Sequence, residues 1–380
     1  MSREEGDAAK TDPTSWSEWP GLISRGFVMG SADIIPGVSG GTMALILGIY
    51  SRLIHAIRSV DLSFFRCLLR LRWREALAGV HWRFLVLLVG GILLAVVFFT
   101  RVVPLQIYMH THPELIYGLF FGLILGSIFI LVKALEHFGW AHALLLAAGA
   151  LAGWWTVTLV PAATPETPLF VFLSGSVAIC AMVLPGISGS YLLLILGKYD
   201  YILSQLALLG GSATVEGLLA LLPFFGGAAV GLALFTRLLS WLLDRHYGPT
   251  LAVLIGFLVG SLYMIWPWQQ REYREFTRVE AVVEVGSDRA GDLRDRQEDP
   301  DLPEFERLGE VLNPDVQGAP RQVEILRVQK KLVRSTPELP APREQPGESA
   351  AGAAGAAAGL LMVVALERMQ RRMGGDGRNE

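Results

Sequence analysis

The sequence predicts an all-α integral membrane protein made of two inverted repeats, each a re-entrant helical hairpin followed by three transmembrane helices. Three observations carry that expectation. Hydrophobic residues make up 52% of the 380 and charged residues only 18%, with a mean hydropathy of +0.45, well above a soluble domain. Several apolar runs reach the roughly 20 helical residues needed to cross about 30 Å of hydrocarbon. Finally, the stretch 36–50, PGVSGGTMALILGIY, returns at 185–199 as PGISGSYLLLILGKY, identical at nine of fifteen positions.

Residues 1–20 are polar, with Glu4, Glu5, Asp7 and Asp12. They lack the basic start and apolar centre of a cleavable signal, so they are expected to form a cytoplasmic tail. Repeat 1 covers 21–160. It opens with an apolar region, 22–54, broken at its centre by Pro36-Gly37 and further glycines into halves of about 14 residues, too short to cross. Irregular backbone at membrane depth is tolerated where protein or a wet cavity satisfies it, so this segment reads as a hairpin that dips in and returns. Crossings are expected at 82–101, 114–133 and 142–160. Repeat 2 covers 170–268 plus 350–368, with a second broken hairpin at 170–203 and crossings at 218–236, 250–268 and 350–366. The last is rich in Ala and Gly, which suits a closely packed inner helix.

Other matches keep the order of the repeat. Phe99-Thr100-Arg101 answers Phe235-Thr236-Arg237, and GLILGS at 122–127 answers GFLVGS at 256–261. Three crossings per unit force the second copy upside down. Charge agrees with that inversion. Loop 51–81 holds six arginines and is expected to be cytoplasmic, 161–169 and 204–217 hold no Lys or Arg and fall outside, and 237–249 falls inside with Arg237 and Arg245. Both termini are then cytoplasmic. The polar stretch 269–349 becomes an extracytoplasmic insertion, expected to be partly disordered, with strand-like alternation only near Val279 to Val285 and Val323 to Val333.

Composition also excludes function classes. Net charge is −3, and most charge lies in the tail, one loop and the insertion, so nucleic acid is not an expected partner. Cys67 and Cys180 give neither a disulfide framework nor a metal spacing, and no cofactor or metal is expected. Seven scattered histidines form no catalytic set. The expectation is a transporter and not an enzyme.

The candidate substrate site lies at the two breaks. A Gly-rich turn opening a helix presents unpaired N–H groups at the positive end of the dipole, which suits an anion. Ser39, Gly40, Gly41 and Thr42 fit this in the first hairpin; Ser188, Gly189 and Ser190, followed by Tyr191, fit it in the second. Against this stands the plainer reading that Pro and Gly shape the bend and serines cap their own helices. Arg101 and Arg237 occupy matched positions taken as equivalent helix ends, suited to snorkelling or to pairing with a phosphate at either mouth. Asp33, three residues before Pro36 and matched by Met182, is a candidate for coupling to a proton or sodium ion or for gating, and Arg25, flanking the first hairpin, is a second such candidate. The alternative is a carboxylate that caps the loop or pairs with Arg25.

The segments Ala32-Asp33-Ile34-Ile35-Pro36-Gly37-Val38-Ser39-Gly40-Gly41-Thr42 and Leu184-Pro185-Gly186-Ile187-Ser188-Gly189-Ser190, each followed by Leu-Gly-x-Tyr, resemble the bacterial polyprenyl-phosphate transporter family, formerly a domain of unknown function. The resemblance covers about 20–268 and the last helix. It implies a flippase of the plasma membrane that returns undecaprenyl phosphate, the lipid carrier of envelope precursors, from the outer to the inner leaflet. It also implies that the residues of the two Pro-Gly-x-Ser-Gly turns are the ones that hold the substrate. Membrane lipids and a polyprenyl-phosphate lipid are the partners this implies. The residues by themselves leave open an anion channel or small-anion transporter and, less favoured, a lipid phosphatase.

Overall fold

The structure is a computed structural model that describes residues 14–34, 39–103, 105–135, 138–159, 162, 164–208, 214–296, 304–312, 322–337 and 346–375. The expected tail up to residue 13 and Pro36, Gly37 and Val38 of the first break lie outside the described residues.

The apolar part of the chain is helical, as its hydropathy requires. A 3-10 turn at Trp16–Glu18, closed by a Ser15/Glu18 capping box, leads into α1 (Trp19–Asp33). After the break come α2 (Gly40–Ile46) and α3 (Tyr50–Arg58). Two short helices follow, α4 (Leu62–Leu69) and α5 (Trp73–Ala78), then α6 (Trp82–Arg101), α7 (Leu105–Thr111), α8 (Pro113–Lys133) and α9 (Trp140–Thr158). The second half begins with α10 (Pro168–Val183), α11 (Gly189–Ile195) and α12 (Tyr199–Ala207), and continues with α13 (Thr214–Arg245) and α14 (Tyr247–Ser261). Strands β1 (Gln269–Glu284), β2 (Glu304–Leu312) and β3 (Gln322–Pro337), with α15 (Asp288–Arg296) between β1 and β2, precede α16 (Pro346–Gly375).

The returning half of each broken segment differs from the expected single helix of about 14 residues. It is two helices, of seven and nine residues in both cases. The Leu-Gly-x-Tyr element causes this. Gly48 and Gly197 take φ of +69° and +61°, a left-handed backbone that glycine adopts without steric cost. The following N–H then reaches back five residues, Ile49 to the Ala44 carbonyl (2.9 Å) and Lys198 to the Leu193 carbonyl (2.8 Å), closing a Schellman turn.

Among the described residues five helices, α6, α8, α9, α13 and the Gly347–Ala365 portion of α16, are long and apolar enough to cross a membrane. Their large apolar side chains point outward. Val86, Leu93 and Val97 on α6 and Leu219, Leu222 and Leu234 on α13 are exposed, a surface water would not tolerate and lipid satisfies. The span expected over 250–268 stops at Ser261, where Leu262, Tyr263 and Met264 turn back with i→i−3 bonds. Its 15 residues are about 22 Å long at 1.5 Å per residue.

Two compact units are present. The first holds residues 1–103, 120–265 and 358–380. Within it α1 lies on α6 and α10 on α13, while α9 lies on α14. Glycines permit these approaches: a Cβ at Gly91 would land on the Ile23 carbonyl oxygen, and one at Gly256 on that of Leu146. On α8 and α16, Gly126 faces Val363.

The second unit, 104–119 and 266–357, corrects the expectation for 269–349. The two expected alternations fall within β1 and β3 of an antiparallel sheet of order β1-β3-β2, with Gln269 opposite Pro337 and Glu284 opposite Gln322, and β2 is the strand the expectation lacked. Polar composition hid β2 and the outer parts of β1 and β3, because their charges pair across the ladder. Arg327 reaches Glu280 (3.5 Å) and also pairs with Glu304, and Arg307 reaches Glu275 (3.8 Å). Phe305, Val323, Ile325 and Val328, with Ala290 of α15, form its small core.

Candidate functional site

The first break is tied together from within. Ser39 is the N-cap of α2, and its hydroxyl oxygen accepts the Gly41 N–H (3.2 Å) while its carbonyl accepts from Thr42 (2.9 Å). Asp33, at the exposed end of α1, accepts the Gly40 N–H at 2.6 Å. A carboxylate belonging to the chain thus takes the place an external anion would take at this turn. Gly40 leaves room for it, since a Cβ there would stand 2.6 Å from one Asp33 oxygen and 2.9 Å from the other. Ser39, Gly40, Gly41 and Thr42 are all buried.

The second break is built differently. Met182 replaces Asp33 and is exposed. Gly186 takes φ +86° with no room for a Cβ against the Phe257 carbonyl (2.7 Å). Ser188 is the N-cap of α11 but makes no capping bond; its hydroxyl meets that of Ser190 at 2.9 Å, and Ser190 is exposed. No turn or side-chain acceptor for the Gly189 and Ser190 N–H groups is found among the described residues. At the second break the two hydroxyls bond each other and Ser190 is exposed, whereas at the first the Ser39 hydroxyl and the Gly40 and Gly41 amides are already bonded.

The two breaks touch. The Gly186 N–H donates to Thr42 Oγ1 at 2.8 Å, and the Tyr50 hydroxyl donates to the Val183 carbonyl at 3.0 Å. A Cβ at Gly41 would stand 2.9 Å from the Val183 carbonyl oxygen. Residues separated by about 140 positions share one buried hydrogen-bonded seam. Neither Thr42 as a cross-link nor Tyr50 was legible as such; the Leu-Gly-x-Tyr repeat singled out Tyr50 only by position.

The basic residues sit elsewhere. Arg101 is exposed at the end of α6, which stops just before Pro104. Arg237 is exposed inside α13, which runs on to Arg245, so the two arginines are not at equivalent helix ends. Burial pushes the Asp61 carboxyl up, but bonds from Ser63 and Phe64, and last the charge of Arg237, outweigh it and hold it below its ordinary value. Arg237 therefore lies by the α3–α4 connector. Among the described residues Arg25 makes no ion pair with Asp33; the Glu18 carboxyl is held below its ordinary value first by the hydrogen bond from Arg52 (2.7 Å) and last by the charge of Arg25. Beside that cluster, α3 is fastened to α13 by His55 to Asp244 (3.0 Å) and Arg58 to Ser240 (2.7 Å).

Lys198 stands where repeat 1 has Ile49 and is 1% exposed. Its Nζ donates to the Thr164 carbonyl at 2.8 Å and lies over the rings of Phe170 (5.6 Å) and Tyr201 (5.9 Å). The signal that would have found it is a lysine interrupting an otherwise apolar repeat.

Residues 29–282 match the family model described as undecaprenyl phosphate translocase-like. A Vibrio cholerae serotype O1 protein named polyprenyl-phosphate transporter is 39% identical over 250 residues, covering 65% of this chain and 77% of the relative. A Staphylococcus aureus protein of the same name is 32% identical over 258 residues, covering 64% and 85%. No solved structure matches. The family match ends inside β1, so the rest of the sheet and α16 lie beyond it.

Proposed function

The chain belongs to the undecaprenyl phosphate translocase-like family, and from that premise we propose that it carries a polyprenyl phosphate across the bacterial plasma membrane, returning it from the outer to the inner leaflet. The seam between the two breaks is the observation that carries the reading, with the Gly186 N–H on Thr42 Oγ1 at 2.8 Å. A phosphate headgroup must cross a medium where an unpaired charge is prohibitive, whereas an isoprenoid tail can stay in hydrocarbon. Only the headgroup needs a polar path, and two polar breaks meeting within an otherwise apolar helical unit supply one.

In this reading the phosphate is received first by Ser188, Gly189 and Ser190, where the two hydroxyls bond each other and Ser188 makes no capping bond, so that both can turn to a ligand. Ser39, Gly40, Gly41 and Thr42 join when Asp33 releases the Gly40 N–H. Asp33 and the phosphate compete for the same donors and repel one another, so a proton taken up by Asp33, or a cation placed beside it, would couple release to substrate binding. Arg101 and Arg237 act at the two mouths as exposed cations that attract the headgroup, and Arg25 tunes the Glu18–Arg52 pair. Rocking of one inverted repeat against the other, with both termini cytoplasmic, would expose the site to alternate sides.

The test is translocation of labelled polyprenyl phosphate in proteoliposomes, with and without a pH gradient. Ser188→Ala with Ser190→Ala should abolish transport while the protein stays monodisperse. Unimpaired transport by that variant would remove the second break from the site. Phosphate release during the assay, or headgroup-independent current in a planar bilayer, would replace the transporter reading with a phosphatase or a channel.

A further inference from the structure

The connector formed by α4 and α5 joins exposed apolar side chains to unpartnered positive charge. Between residues 62 and 78 stand Arg66, Arg70, Arg72 and Arg74 against one acidic residue, Glu75. Glu75 is taken by Arg72 at 3.2 Å. Arg66, Arg70 and Arg74 are exposed and make no ion pair among the described residues. Interleaved with them, Leu69, Leu71 and Trp73 are 84%, 72% and 56% exposed.

Leu71 has φ +57°, a left-handed backbone that a γ-branched residue with a Cβ adopts at a steric cost. That conformation makes the tight turn between α4 and α5 and leaves Leu71 at its apex, uncovered. An apolar apex ringed by arginines is poorly suited to water. It suits the lipid interface, where arginine stems lie along acyl chains, guanidinium groups reach phosphates, and tryptophan sits at headgroup level. Only residues 79–81 separate α5 from α6, a helix apolar enough to span the membrane. The connector therefore cannot be far from the headgroups.

We propose that α4–α5 is a docking surface for the anionic phospholipids of the leaflet it faces, with Leu69, Leu71 and Trp73 entering the acyl boundary and Arg66, Arg70 and Arg74 on the lipid phosphates. Charge complementarity selects the occupant, because zwitterionic lipid offers the apolar boundary but no net negative charge for three free arginines. This surface is independent of how, or whether, the chain transports its substrate.

The test uses the full chain with Cys67→Ser and Cys180→Ala, a single Leu69→Cys carrying a nitrobenzoxadiazole label, and reconstitution in phosphatidylcholine with or without phosphatidylglycerol. Phosphatidylglycerol should shift the emission to the blue and increase quenching by nitroxide-labelled acyl chains, and salt should reverse the increment. Arg66→Gln, Arg70→Gln and Arg74→Gln together should lose the increment, and the matching lysine variant should keep it, which separates charge from misfolding. Equal quenching in the two vesicles, no quenching in either, or an increment retained by the glutamine variant would overturn the proposal.

Discussion

At the scale of single residues, the two breaks show how near-identical sequences reach different chemical states. Ser39 and Ser188 are matched by the repeat, yet one is a buried cap and the other keeps its hydroxyl beside Ser190. The turns differ also three residues before the proline, where Asp33 accepts the Gly40 N–H and Met182 carries no such acceptor. Thr42→Val should strand the buried Gly186 N–H and cost about 1–3 kcal/mol, read as a lower melting temperature in detergent. Thr42→Ser should retain most of the stability. A second prediction concerns pH. The hydrogen bond from Arg52 is the main reason Glu18 is held below its ordinary value of 4.5. A depressed carboxyl stabilises the fold fully above that ordinary value and loses its contribution as pH falls through the folded one. Acid melting of Glu18→Gln should thus be flatter than wild type below about pH 4.5 and parallel to it at neutral pH.

Helix pairs are set by where glycines fall on each face. Gly91 abuts the backbone of α1, with its Cβ position only 2.9 Å from the Gly26 Cα, whereas its neighbour Gly90 faces open space. Gly91→Val should push α1 from α6 and cost about 1–3 kcal/mol or more, seen as lost monodisperse protein and a lower melting temperature. Gly90→Ala should be neutral or stabilising by up to about 1 kcal/mol, because it removes a flexible residue from a helix interior without a clash. Gly90-Gly91 and Gly226-Gly227 stand as doublets in the sequence; which member makes the contact depends on helix rotation. Strands in the insertion were less legible for another reason. Part of their stabilisation comes from cross-strand pairs such as Arg327 with Glu280, so a linear reading finds the alternation inside β1 and β3 but misses β2 and the full length of the strands.

For the whole molecule, the fastening of α3 to α13 bears on motion. His55, Arg58 and Asp244 have side chains about one third to one half exposed, so the cluster is worth only about 0–1 kcal/mol. Asp244→Asn should leave the melting temperature nearly unchanged. If the two halves part during each cycle, the same substitution should raise the initial translocation rate by up to about fivefold, since a lost ground-state contact of that size lowers the barrier by the same amount. An unchanged rate would mean that α3 and α13 move together.

Hydropathy, the recurring Pro-Gly-x-Ser-Gly and Leu-Gly-x-Tyr elements and the distribution of arginines were enough, read along the chain, to establish a membrane protein, its two similar halves and the two interruptions at which to look for chemistry. These are local properties, governed by the transfer energy of side chains and the backbone freedom of Gly and Pro. Only the folded chain decided that Thr42 and Tyr50 join the breaks, that Asp33 fills the first turn while the Ser188 and Ser190 hydroxyls meet each other at the second, and that Arg52 binds Glu18. Hydrogen bonds between groups more than a hundred residues apart are set by packing in three dimensions, and no periodicity in one dimension encodes which donor meets which acceptor.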